Sequence, residues 1–152
     1  MSWVALANIT LSSTASSVTF SNIPNTYRDL VLVYDAQGGS AQEVRLALNG
    51  STANGTFVYM LGDGSTTGSG TASALIAGTI STNRSNNILQ IMDYSATDKH
   101  KTMLIRSNRP SEATLAYACR WASTSAVTSV QVYPNSGNWT SGGTFALYGI
   151  AG

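Results

Sequence analysis

Apolar and polar residues alternate along this chain in short runs, and almost no window repeats its apolar positions at the three- and four-residue spacing of a helix. The pattern predicts strands over residues 3–11, 18–20, 30–35, 44–48 and 56–61, then 72–80, 88–93, 101–107, 114–122, 127–133 and 145–150. Turns carrying Pro or Gly separate them, and Asn49-Gly50, Asn54-Gly55 and Asp63-Gly64 offer the positive φ that tight turns demand. The fold class expected is all-β: an antiparallel β-sandwich, jelly-roll-like, of about ten to eleven short strands.

Residues two apart share a face of a strand, so several runs reveal which face is buried. In 114–122, Leu115, Tyr117, Cys119 and Trp121 fall on one side and Ala116, Ala118, Arg120 and Ala122 on the other, a bulky inner face and a thin outer one. In 30–35 both sets begin apolar, as in a central strand covered on both faces, with Tyr34 expected at its end. The predicted core comprises Leu32, Leu46, Leu115, Tyr117, Cys119, Trp121, Val130 and Phe145. The stretch 62–73 is too polar and glycine-rich to pack alone and is expected to be a mobile surface loop.

Length and charge narrow the picture. A chain of 152 residues suits one domain, 1–152, and should bury about 70% of its unfolded surface, with no staple required. Eight Lys and Arg against seven Asp and Glu leave a charge of +1, too weak a field for a nucleic-acid partner. Ser and Thr, roughly a quarter of the chain, fill the polar positions instead. The first residues lack the basic and long apolar regions of an export signal, and no stretch approaches the roughly 20 apolar residues that span a bilayer, so no membrane partner is expected.

Candidate chemistry is sparse. His100, the only histidine, stands between Lys99 and Lys101, which reads as a solvated turn, and no Gly-x-Ser-x-Gly elbow marks a nucleophile. Cys119, the only cysteine, points inward by its strand pattern, where a thiolate is disfavoured. Asp63, Asp93 and Asp98 have the oxygen chemistry for calcium but match no calcium-loop spacing. The expectation is therefore no catalytic residue, no metal and no cofactor. Partner contacts are expected on the glycine-rich segments 62–73 and 135–143, through Asp63 in the first and Asn138 and Trp139 in the second, with Trp139 as the apolar anchor; for its indole, core or subunit contact is expected ahead of sugar binding, because glycine-rich loops often fold back over a sandwich end.

Several ordered motifs carry a family likeness. Val18-Thr-Phe-Ser-Asn-Ile-Pro-Asn-Thr-Tyr-Arg-Asp-Leu-Val-Leu is followed by Leu48-Asn-Gly and Asp93-Tyr-Ser-Ala-Thr-Asp-Lys-His-Lys-Thr. After these come Trp121-Ala-Ser-Thr-Ser-Ala-Val-Thr-Ser-Val and the ending Gly143-Thr-Phe-Ala-Leu-Tyr-Gly-Ile. In this order they resemble small β-rich virion proteins of tailed bacteriophages, over nearly the whole chain. In Ile23-Pro24 with Tyr27, proline fixes a corner that the tyrosine hydroxyl is expected to pin. The resemblance implies a capsid decoration (cement) protein, a homotrimer bound to the major capsid protein on the outer surface of the virion and made in the cytoplasm of a bacterial host. A tail or fibre-associated protein is the second reading and a carbohydrate-binding receptor module the third. No heptad pattern or stalk sequence favours the fibre.

Overall fold

Alternation of side chains along the backbone decides the architecture, because each run that buries every second residue must face another layer. In a computed structural model that describes residues 2–110 and 112–152, the described residues form twelve strands and no helix. They are β1 (Trp3–Thr10), β2 (Val18–Phe20), β3 (Asp29–Ala36), β4 (Gln42–Leu48), β5 (Gly55–Gly62) and β6 (Thr67–Ala72). The second half supplies β7 (Ile76–Ile80), β8 (Ser85–Met92), β9 (Lys101–Arg109), β10 (Ala113–Trp121), β11 (Val130–Pro134) and β12 (Thr144–Ile150).

Two antiparallel sheets result, an eight-stranded one in the order β1-β12-β3-β8-β9-β10-β5-β6 and a four-stranded one in the order β2-β11-β4-β7. All eight residues predicted for the core are buried. The β10 pattern holds residue by residue, with Leu115, Tyr117, Cys119 and Trp121 inward and Ala118 and Arg120 exposed. Strand β3 is covered on both faces at Val31, only 3% exposed on the outer side, opposite the inward Leu30 and Leu32.

Four sequence expectations need correction. The stretch 62–73 is not a loop: β6 pairs with β5 from Phe57↔Ala72 to Gly62↔Thr67. Its glycines need no side chains of their own, because the rings and branches of the neighbouring strand lie over them. A methyl at Gly70 would come within 2.8 Å of the Tyr59 ring, and one at Gly68 would touch Leu61 at 3.4 Å. Of the predicted strand 72–80, Ala72 ends β6 in the large sheet and Ile76–Ile80 form β7 in the small one. The turn between them crosses Gly55, where a Cβ would lie 2.5 Å from the Ala74 backbone. The predicted strand 127–133 begins only at Val130, because Asn49 Oδ1 accepts from the Thr128 and Ser129 N–H groups (2.8 and 3.2 Å) and Val127 N–H donates to Tyr94 O (2.8 Å). Tyr34 is not at a strand end; it is 1% exposed and β3 runs on to Ala36.

A buried polar clamp joins the two sheets. From β8, Asn87 accepts the Thr79 N–H (3.1 Å) and donates to the Thr79 carbonyl (3.0 Å) on β7, while Ser107 of β9 donates to the same amide oxygen. Tyr34 of β3 donates its hydroxyl to Ala77 O (3.0 Å). All of this closes around Gly78, whose φ of +141° disfavours any other residue. A methyl there would stand 2.2 Å from Asn87 Oδ1 and 2.8 Å from the Tyr34 hydroxyl. Gly78→Ala is therefore expected to cost about 3 kcal/mol or more in denaturant unfolding, from strain and overpacking together. Gly39→Ala, with open space around it and no positive φ, should change stability by less than about 0.5 kcal/mol and serves as the control.

Candidate interaction surface

The three residues expected to meet a partner fall in three different environments. Trp139 is fully buried, so it is not an exposed anchor. Its indole packs edge-on against Phe145 (5.1 Å between ring centroids) and Tyr34 (5.9 Å). Its backbone exchanges hydrogen bonds with Ala15 (2.8 and 3.2 Å), and Thr140 N–H reaches Gln37 O (3.1 Å), which folds the segment back over the sandwich. Asn138 beside it is exposed. Asp63 is exposed too, but its carboxylate serves its own turn, accepting from the N–H groups of Ser65 and Thr66 (2.8 and 2.6 Å) and the Thr66 hydroxyl (2.7 Å). Those bonds, led by the Thr66 N–H, hold its pKa down at about 2. The Asn138 and Asp63 segments lie on different strand connections and form no common site.

His100 is exposed just before β9, and Cys119 lies inward, its thiol pKa pushed up by burial. Among the described residues, no three His, Cys, Asp or Glu side chains gather as a metal-ligand set, and Asp63, Asp93 and Asp98 are not brought together.

Three of the five ordered motif blocks meet at one corner. Asp29, at the start of β3, pairs with Arg28 (3.0 Å) and accepts from the Gln90 amide (2.9 Å) and the Asp93 N–H (3.1 Å). Burial alone would raise the Asp29 pKa, but Arg28, the Asp93 N–H and Gln90 together outweigh it and hold the carboxyl below its ordinary value. Asp93 takes φ +46° and pairs with Lys99 (3.2 Å). Buried Lys101 closes the same loop by donating to the Ala96 and Lys99 carbonyls (2.7 and 3.0 Å). The hydroxyl that pins Pro24 comes from buried Tyr94 rather than from Tyr27. The Tyr27 ring instead covers Gly149, where a Cβ would meet its Cγ at 2.4 Å.

Exposed large apolar side chains are found on the large sheet. Val58 and Met60 of β5 and Leu104 of β9 are 55%, 66% and 47% exposed, and Trp3 at the β1 edge is 55% exposed. The signal for this surface lies in the sequence as the second phase of the alternation, Val58 and Met60 between Phe57, Tyr59 and Leu61, and Leu104 between Met103 and Ile105. Two hollows open on the same outer side, one of about 370 Å³ at Thr56, Val58, Ala118 and Arg120, the other of about 170 Å³ at Trp3, Gln90 and Arg106. A third, of about 200 Å³, is lined by Tyr59, Tyr117, Gln42, Glu43 and Arg109. In comparison with known proteins, the chain matches no family model and no curated protein.

Two measurements check these assignments. Trp139→Ala is expected to lower unfolding free energy by about 3–5 kcal/mol, as for a buried tryptophan, whereas an exposed anchor would lose less than about 1 kcal/mol. Because the folded Asp29 pKa lies below the ordinary 3.8, its stabilisation is full above that value and is lost as the pH falls through the lowered folded value. Asp29→Asn should cost about 1–3 kcal/mol at pH 7 and lose less than the parent protein on acidification, as read by denaturant unfolding at a series of pH values.

Proposed function

We propose that this chain is a structural virion protein of a tailed bacteriophage, a capsid decoration protein that binds the major capsid protein on the outside of the shell as a homotrimer. The observation that carries the reading is the corner at Asp29. The likeness to small phage virion proteins rests on short motifs separated along the chain, and in three dimensions three of these blocks meet: Asp93 N–H and the Tyr94 hydroxyl bond to Asp29 and Pro24, and Arg28 N–H donates to Ile150 O (2.9 Å). A resemblance in residues that act together on one structure is stronger than the same words scattered over unrelated surfaces.

The surface fits such a role. Strand β1 is a free edge of the large sheet that carries none of the charges or prolines that usually guard an edge, only a register shift between Ala5 and Ala7. That favours pairing between copies. Low surface charge and many hydroxyl side chains suit contacts that salt weakens little, and symmetry multiplies each one. The reading assigns the chain no catalytic step, no cofactor and no nucleic-acid or membrane partner. It is synthesised in the bacterial cytoplasm and acts on the particle.

A second reading, a tail-associated carbohydrate-recognition module, is favoured by the hollow beside the half-buried Tyr59 ring, where Gln42, Glu43 and Arg109 also line the wall. Copy number separates the two. Quantitative mass spectrometry of purified particles should find on the order of hundreds of copies, as icosahedral decoration requires, with light scattering of the isolated protein giving a trimer. A monomer present in only a few copies per particle would overturn the decoration reading and favour the tail.

A further inference from the structure

The outer face of β5, β10 and β9 forms three cross-strand rows: Met60, Ala116 and Arg106; Val58, Ala118 and Leu104; Thr56, Arg120 and Thr102. The middle strand contributes alanines while both neighbours contribute long side chains. A trough therefore runs along β10, with walls about 10 Å apart, two strand spacings. Its walls are the exposed Val58, Met60 and Leu104. Arg120 stands at one end and Arg106 beside the other, about 14 Å apart by strand geometry.

Charge identifies the occupant. Among the described residues five ion pairs form, Arg28 with Asp29, Arg45 with Glu43, Arg84 with Asp35, Lys99 with Asp93, and Arg109 with Glu112. Lys101 is held by carbonyls. That leaves Arg106 and Arg120 as the two cations without an acid, both on this face, where no carboxylate stands. A second copy does not supply the pair: Asp63 is taken up by its own turn, which leaves the exposed Asp98 as the one acid per copy outside the ion pairs, and a single carboxylate cannot serve two guanidiniums about 14 Å apart.

We propose that this trough docks an extended acidic segment of a different protein, with an apolar side chain seated on Ala116 and Ala118 and carboxylates reaching Arg106 and Arg120. Alternate residues of an extended segment face one way, and residues four apart are about 14 Å apart, so the fitting pattern is Glu-x-Leu-x-Glu. Each guanidinium would receive a carboxylate in its bidentate geometry. The inference rests on the decoration reading only for the identity of that protein, a component of the shell; the chemistry of the trough stands apart from it.

The test is a nuclear magnetic resonance titration of the full chain, at low salt, with the peptides acetyl-Glu-Ser-Leu-Ser-Glu-amide and acetyl-Lys-Ser-Leu-Ser-Lys-amide. The acidic peptide should shift the signals of Leu104, Ala116, Ala118 and the two arginines, with at least about tenfold tighter binding than the basic one. Arg106→Glu/Arg120→Glu should reverse that preference while its thermal unfolding stays near that of the parent, since both side chains are exposed. Met60→Ser should weaken binding of the acidic peptide without reversing it. Equal binding of both peptides, shifts confined to another surface, or no binding would overturn the proposal. Self-association abolished by Arg106→Glu/Arg120→Glu would also overturn it and assign the face to a second copy. None of these outcomes depends on copy number in the particle, so the trough and the decoration reading can fail separately.

Discussion

The two sheets are held in register by a polar contact in a largely apolar interior, the Asn87 amide laid across the backbone of β7 at Thr79. A buried amide is costly unless each of its groups is bonded, and here the partners come from both layers, with Ser107 adding to the same oxygen and Tyr34 holding Ala77 next door. Apolar packing alone would tolerate a sliding of one sheet on the other. An amide that must meet one particular N–H and one particular carbonyl does not. Glycine at 78 follows from this: the space its side chain would occupy is filled by the groups of the clamp.

Around this clamp the core is aromatic and continuous. Tyr34 stacks on Phe145 at 5.4 Å and 12°, and Trp139 meets both edge-on, so the segment 135–143 is drawn inward rather than displayed. At the opposite side of β3, the Asp29 corner ties strand β3 to the loop after β8, and Tyr94 ties that loop to Pro24. Few charges are needed when each does local work. Five of the seven acids sit in ion pairs and a sixth caps its own turn. The surface left over is hydroxylated and nearly neutral, and against that background two unpaired guanidiniums beside exposed methionine, valine and leucine stand apart. The large sheet packs the core with one face and presents this patch on the other.

Local pattern by itself determined where most strands lie and which residues of β10 turn inward, because period-two alternation depends only on which neighbours are apolar. It determined the turn at Asn49-Gly50, where both residues take positive φ, since that chemistry lies within four residues. Tertiary structure decided whatever depended on a neighbour far along the chain. The glycines of β6 became a strand because Tyr59 and Leu61 cover them. Trp139 became core because Ala15 and Gln37 draw its segment in, the hydroxyl at Pro24 came from Tyr94 rather than Tyr27, and Arg106 and Arg120 stood out only once every other lysine and arginine had found its partner in space.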